Sequence, residues 1–233
     1  MILSKRTLDL LEICSQISQQ IHFYKGSKIR LWTDKIMVDA DIDETFPKSF
    51  GIHDINEFIK VIKFMKDPRI EFYDEYLLIW KGNQRVKYWM ADTFWFYSVG
   101  KILEMPTVNF SFYLFKEQLQ ELIRNGDSLH FNDLMIRSCK KTNSLLLEQF
   151  TTYLHKSHTA IMRVGKSVDL DEPLHWQMRF LRMLPKQDYK VHIKKETILT
   201  GGLSVFESFD SYLKVYIEME STRKIKDNDF ADE

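Results

Sequence analysis

With 233 residues, 44% hydrophobic and 14% aromatic, the chain has enough apolar surface for one large domain or two ordinary ones. Its 33 basic and 33 acidic residues cancel, so nucleic acid is not attracted by the net field and any such contact must use a locally basic surface. Cys14 and Cys139 make no CxxC or zinc-ligand pattern, which excludes a disulfide framework; both read as small buried side chains in a reducing compartment.

The N-terminal segment turns charged at Lys5 and Arg6 before any long apolar run, so it does not read as a signal peptide. No stretch approaches the roughly 20 apolar residues of a membrane span, and the chain reads as soluble. A first helix, SKRTLDLLEICSQIS, places Leu8, Leu11, Cys14 and Ile17 on one stripe with Ser4 as its N-cap. Strands IHFY, KIRLW and IMVDADI follow, with turns at Gly26 and Thr33-Asp34. After a short strand, FGIH, Asp54 caps a second helix that buries Ile55, Phe58, Ile59, Ile62 and Met65 and stops at Asp67-Pro68. RIEFY, YLLIW and RVKYWM are a further hairpin series.

The second half repeats that order. KEQLQELIRNG is a helix with the stripe Leu119, Leu122 and Ile123, and Gly126 stands where a helix terminates. Strands LHFND, LMIRSC and SLLLEQF come next, then a run from Thr151 to Val164 with a turn inside it and a helical piece near Trp176–Leu184, stopped by Pro185. DYKVHIKK, GLSVFESF after the Gly201-Gly202 turn, and SYLKVYIEME complete the chain's strands. Lys5, Leu8 and Leu11 answer Lys116, Leu119 and Leu122; Ile21-His22-Phe23 answers Leu129-His130-Phe131; Ile29-Arg30 answers Ile136-Arg137. The shared order, at an offset of about 110 residues, predicts an α+β protein of two similar domains, each an antiparallel sheet covered by two helices. The expected divisions are a first domain at 1–98, a connector at 99–108, a second domain at 109–222 and a charged tail at 223–233 that reads as disordered.

No residue set assembles a catalytic or metal centre. Asp39-Ala-Asp41-Ile-Asp43-Glu44 starts like a calcium loop, but Glu44 and Phe50 stand where Gly and a bidentate Glu are required. The alternation describes a strand end with its acids facing water. His155-x-x-His158 lacks the HExxH glutamate and lies in strand-like sequence, where the two side chains face opposite ways. Gly201-Gly202-Leu203-Ser204 lacks the GxSxG spacing, and no phosphate-binding glycine loop is present. No cofactor and no metal are expected. Positive charge, in contrast, gathers on the helices: Lys60, Lys63 and Lys66 on the second, with Lys5 and Arg6, Lys116 and Arg124, and Arg179 and Arg182 on the others. Such side chains meet phosphates without reading bases. Asp9, Glu12, Glu57, Glu117 and Glu121 share those helices, so for any single helix an ordinary solvated face is the favoured reading.

Leu3-Ser4-Lys5-x-Thr7 with Leu10-Leu11 after it, Gly26, Ile29, Phe50-Gly-Ile52-His-Asp54-Ile-Asn56-x-Phe58, Tyr88-Trp89-Met-Ala91-Asp92 and Gln118-Leu119-Gln120-x-Leu122 follow one another along the chain. Pro185-x-x-x-Tyr189-Lys190 and Tyr212-x-x-Val215-x-x-Glu218-x-x-Ser221-Thr222 continue the series. In these residues, taken in order, the chain resembles the sliding clamps of T4-type bacteriophages. The resemblance implies the DNA clamp fold and a head-to-tail homotrimeric ring with the helices on its inner wall. It also implies a non-enzymatic processivity role on duplex DNA, with phage polymerase, clamp loader and late-transcription factors as partners, in the cytoplasm of an infected bacterium. Under it, Trp89 on one edge strand and Thr159, Ile161 and Val164 on another are the expected subunit contacts. Val99, Ile102, Leu103 and Met105 are the expected partner-peptide patch, although burial within their own chain explains them as well. Two other readings stay open on the residues alone: a non-ring DNA-binding or interaction adaptor of similar build, and a nuclease using Asp39–Glu44.

Overall fold

The computed structural model describes residues 1–91, 107–151, 158–170, 172–195 and 201–221. The chain divides into two compact units, Met1–Ile102 with Tyr212–Lys214, and Leu103–Ser211 with Val215–Glu233. The expected connector at 99–108 for the most part, and the tail at 223–233, lie outside the described residues, as does His155; His158 is exposed.

The first unit runs α1 (Lys5–Ile17), β1 (Ile21–Phe23), β2 (Gly26–Trp32), β3 (Ile36–Phe46), β4 (Phe50–Ile52), α2 (Ile55–Met65), β5 (Arg69–Phe72), β6 (Tyr76–Lys81) and β7 (Gln84–Trp89). Antiparallel pairing orders the first four strands β4-β1-β2-β3 and the last three β5-β6-β7. The N-terminus adds to β5, Met1 and Ile70 exchanging both backbone hydrogen bonds at 2.9 and 2.7 Å. Alternation decides which side chains go inside: Ile29 and Leu31 on β2 and Ala40 and Ile42 on β3 are buried while their neighbours are not, although β3 begins with Ile36, Met37 and Val38 all buried. α1 and α2 pack on each other, and Leu10, Leu11, Cys14, Ile55 and Phe58 close the core with the ring cluster of Phe23, Phe46 and Phe50. Each such fully buried side chain contributes about 1.5–3 kcal/mol.

The second unit runs β8 (Phe110–Leu114), α3 (Lys116–Ser128), β9 (Asp133–Cys139), β10 (Ser144–Phe150), β11 (Ala160–Gly165), β12 (Leu174–Gln177), α4 (Met178–Arg182), β13 (Tyr189–Lys195), β14 (Gly202–Ser208) and β15 (Leu213–Ser221). Its strands pair as β12-β9-β10-β11 and β8-β13-β14-β15. This is the pairing of the first unit again: β9 stands for β1, β10 for β2, β11 for β3, β12 for β4, and β8 for the N-terminal residues that add to β5. Trp176, the largest buried side chain, donates from Nε1 to Ser204 Oγ at 2.8 Å, and that hydroxyl donates to Ile217 O at 2.9 Å, so the indole N–H enters the core satisfied.

Several local expectations need correction. The LHFND segment is not a strand. Leu129 caps α3, His130 takes a left-handed φ of 57°, and the strand begins at Asp133. The letter matches after the helices are therefore out of register: Ile29 sits in β2 but Ile136 in β9. Gly126 does not end α3, which continues to Ser128; a Cβ there would lie 2.9 Å from Met178 Cε and 3.4 Å from Gln149 Nε2, so the glycine serves close approach. The helical piece after Trp176 is only five residues, because Leu174–Gln177 is spent pairing with β9. Burial raises the Cys14 thiol to about 12, whereas Cys139 is half-exposed, contrary to expectation, and a hydrogen bond from Thr142 lowers its pKa.

Gly201 has a φ of +88°, and a Cβ there would stand 2.0 Å from the Met219 carbonyl oxygen, a backbone atom that cannot step aside. Gly201→Ala is expected to cost about 2–4 kcal/mol, read as a lowered midpoint in urea at unchanged slope.

Candidate nucleic-acid interface and open sheet edges

Both helices of the first unit start on well-made caps. Ser4 Oγ accepts from the Thr7 N–H at 3.2 Å, and the Glu44 carboxylate accepts from both the Ser4 N–H and the Thr7 hydroxyl, tying the start of α1 to the end of β3. Asp54 Oδ1 accepts from the Glu57 N–H at 3.0 Å, and its other oxygen accepts from Gln19 Nε2 at 3.1 Å. The Glu57 N–H first, and the Gln19 amide second, hold the Asp54 carboxyl below its usual range. α2 ends at Lys66, which adopts φ 53° and whose carbonyl accepts from Lys81 Nζ.

The acidic run lies in β3 with Asp41 and Asp43 exposed to water, as the alternation implies, and each of its acids has a partner. Within β3, Asp39 pairs with Arg30 at 3.1 Å, Asp41 with Lys28 at 2.9 Å and Asp43 with Arg6 at 3.4 Å, while Glu44 holds the α1 cap. Every carboxylate of the run thus has a partner, Asp39, Asp41 and Asp43 each through one oxygen. Among the described residues, no three His, Cys, Asp or Glu side chains converge as metal ligands.

The nine helix cations fall into two groups. Arg6 is held by Asp43 and stacks 4.0 Å from the Tyr212 ring; Lys63 is held by Glu12; Arg182 is held by Asp127 at 2.9 Å. The other six, Lys5, Lys60, Lys66, Lys116, Arg124 and Arg179, are exposed and have no ion pair among the described residues. On α2 the pattern follows from periodicity: burying Ile55, Phe58, Ile59, Ile62 and Met65 turns Lys60 and Lys63 outward. On α3, burial of Leu119 and Leu122 leaves Arg124 exposed beside a shallow groove of about 310 Å³ lined by Gln120, Ile123, Arg124, Asp127 and Lys186. Phe115 at the α3 N-cap has no acceptor of its own; Gln118 Oε1 takes its N–H at 3.0 Å and Asp188 takes that of Lys116 at 2.7 Å. Lys186 was not singled out from sequence, since it lies in a loop with no periodic pattern; only its place directly after the Pro185 stop hinted at a helix end.

Among the described residues β7 pairs only with β6 and β11 only with β10; β8 likewise pairs only with β13, and β4 pairs with β1 and, through one bridge from Gly51, with Ala91. Trp89, the last residue of β7, is 58% exposed, and Lys87 lies 4.1 Å from the Tyr76 ring and 4.0 Å from the Trp89 ring. On the β11 side Ile161 is 54% exposed, Thr159 is exposed and Val164 half-buried. Val99, Ile102, Leu103 and Met105 lie outside the described residues.

No protein-family model matches the chain. It is 24% identical over 200 residues to the sliding clamp of Vibrio phage KVP40, an alignment that covers 83% of this chain and 90% of that one. Among solved structures it is similar to A. fulgidus PCNA bound to the C-terminal region of FEN-1, with a TM-score of 0.65, 14% identity, and 95% and 98% of the two chains covered. It is also similar to the proliferating cellular nuclear antigen of Entamoeba histolytica, with a TM-score of 0.64, 12% identity, and 92% and 94% covered. A putative DNA polymerase III beta subunit from Eubacterium rectale matches with a TM-score of 0.70 and 11% identity over 94% of this chain, which spans 64% of that longer one. The fold is the α+β DNA clamp fold.

The Asp54 cap is testable by pH. Its folded pKa lies below the ordinary 3.8, so its stabilising effect is complete above that value and disappears as pH falls through the lowered one. Asp54→Ala is expected to melt below the parent at neutral pH, with the two melting temperatures converging in strong acid.

Proposed function

We propose that this chain, which has the DNA clamp fold and is similar along most of its length to a phage sliding clamp, is one subunit of a head-to-tail ring. The ring encircles duplex DNA and acts as a processivity factor for a phage polymerase. The observation that carries this reading is an open edge strand with an exposed apolar side chain in each unit, β7 with Trp89 in the first and β11 with Ile161 in the second, each six residues long. A subunit with two different free edges joins copies heterologously, and such contacts close into a ring when the rotation permits. We assign Trp89 to one edge and Thr159, Ile161 and Val164 to the other, in a homotrimer.

The exposed cations of α1 to α4 face the enclosed DNA in this reading. They meet phosphates, and phosphate contacts without base contacts give a nearly level energy profile along the duplex. Sequence neutrality then follows from chemistry, and no catalytic residue is needed: the protein is a scaffold, not an enzyme. Val99, Ile102, Leu103 and Met105 are the proposed seat for partner peptides of the polymerase, the clamp loader and late-transcription factors. The proposed place of work is the cytoplasm of the infected bacterium.

Light scattering over a concentration series is expected to give about three times the 27.9 kDa chain mass; a monomer at every concentration would leave the fold and remove the ring, favouring the non-ring adaptor. Ile161→Asp, which puts a charge on the β11 edge, is expected to shift the mass to that of one chain with the far-ultraviolet circular dichroism unchanged. Lys60→Ala is expected to reduce the slope of log affinity against log salt by about one on any duplex sequence, and a sequence-dependent loss would contradict phosphate contact.

A further inference from the structure

We infer that Phe64 is a stacking platform for an unpaired nucleobase, so that α2 binds single-stranded DNA as well as the phosphates of a duplex. The inference rests on the proposed DNA-facing role of α2. Phe64 is 78% exposed, the highest value among the exposed large hydrophobic residues, and it alone of these lies inside a helix among the described residues. At 100° per residue it stands opposite the buried stripe of Ile55, Phe58, Ile59, Ile62 and Met65, so the core has no use for it. No aromatic ring stacks on it among the described residues. Helix propensity does not call for it either, since Lys, Glu or Gln would hold this position better than Phe.

Its surroundings select the ligand. Lys60 lies one turn before it on the same side, Lys63 precedes it and is held by Glu12, and Lys66 closes the helix. The other exposed residues of the helix are Asn56 and Glu57, and its one apolar residue beside the ring is the half-buried Val61, three residues before it; a single half-buried valine is not the apolar patch that a peptide groove requires. Cations that follow a phosphate chain, with an aromatic face between them, are what sequence-tolerant single-strand binding uses. In an intact duplex every base face is already stacked, and a phenyl ring offers phosphate no hydrogen bond. The ring therefore finds a partner only where a base is free: a single-stranded stretch or a frayed end. The corresponding helix of the second unit lacks the feature, for in α4 Arg179 and Arg182 are exposed but Phe180 is buried at 6%.

The test compares a fluorescein-labelled oligo(dT) with a blunt duplex hairpin by anisotropy at fixed salt, with retention of the protein on circular duplex measured in parallel. Phe64→Ala is expected to weaken oligo(dT) binding by at least about fivefold, the lower end of what one base stack contributes, and duplex binding by less than about twofold. Phe64→Trp is expected to stay within about twofold of the parent on both. Unchanged oligo(dT) binding in Phe64→Ala, an equal loss on both ligands, or full binding in Phe64→Leu would overturn the inference. A parent that is retained on circular duplex but ignores oligo(dT) overturns this inference and leaves the proposed ring intact; a parent that binds neither overturns both.

Discussion

Backbone hydrogen bonding has to end somewhere in any sheet that does not close on itself, and the strand where it ends keeps a row of donors and acceptors in need of partners. In this chain β7 in the first unit and β11 in the second are among such strands. Each carries long cations, Arg85 and Lys87 on β7 and Arg163 on β11, which oppose indiscriminate strand-to-strand pairing. Each also carries a large exposed apolar side chain, Trp89 and Ile161, whose removal from water rewards the right neighbour. A ring built on these edges uses main-chain bonds for strength and these side chains for selectivity.

The two units show how far one architecture can be kept while its letters change. α1 is capped by Ser4, a residue suited to the task, while α3 begins at Phe115 and borrows acceptors from Gln118 and Asp188. β9 pairs with β10 and β12 as β1 pairs with β2 and β4, although the sequence likenesses placed Ile21 against Leu129. What is preserved is the alternation that buries one face and the helix pair that covers it, and many sequences satisfy both.

Periodicity made three of the four helices and most strands legible, because burial on one face imposes a repeat that survives substitution. The caps Ser4 and Asp54 were legible for the same reason: the donors they satisfy are local. Gly126 was misread because its role is set by Met178, some fifty residues away, and nothing local distinguishes a terminating glycine from one that admits a neighbour. The exposure of the β3 acids was legible in the alternation, but not their partners, because Arg30 and Lys28 lie on the adjacent strand and Arg6 on a helix, which a linear pattern does not display. The cations could be listed from sequence but not sorted, since only geometry separates Lys60 from the engaged Lys63. The functional expectation rests on colinear resemblance to a family and not on any motif, and an identity of 24% to a phage clamp shows why single matches carry so little.

The carboxylates beside Arg6, Lys63 and Arg182 have an effect that reaches beyond the folded chain. A cation in water is accompanied by dissolved anions, and DNA by condensed cations, and much of the drive for their union is the freedom those small ions regain. Asp43, Glu12 and Asp127 are covalently attached counterions that can never be released. For the nine helix cations the ceiling on the salt exponent therefore falls from about 8 to about 5 per chain. A surface prepared in this way holds a polyanion more weakly but also less sensitively to ionic conditions, so that in the proposed ring enclosure, more than adhesion, sets how long the protein stays on its track.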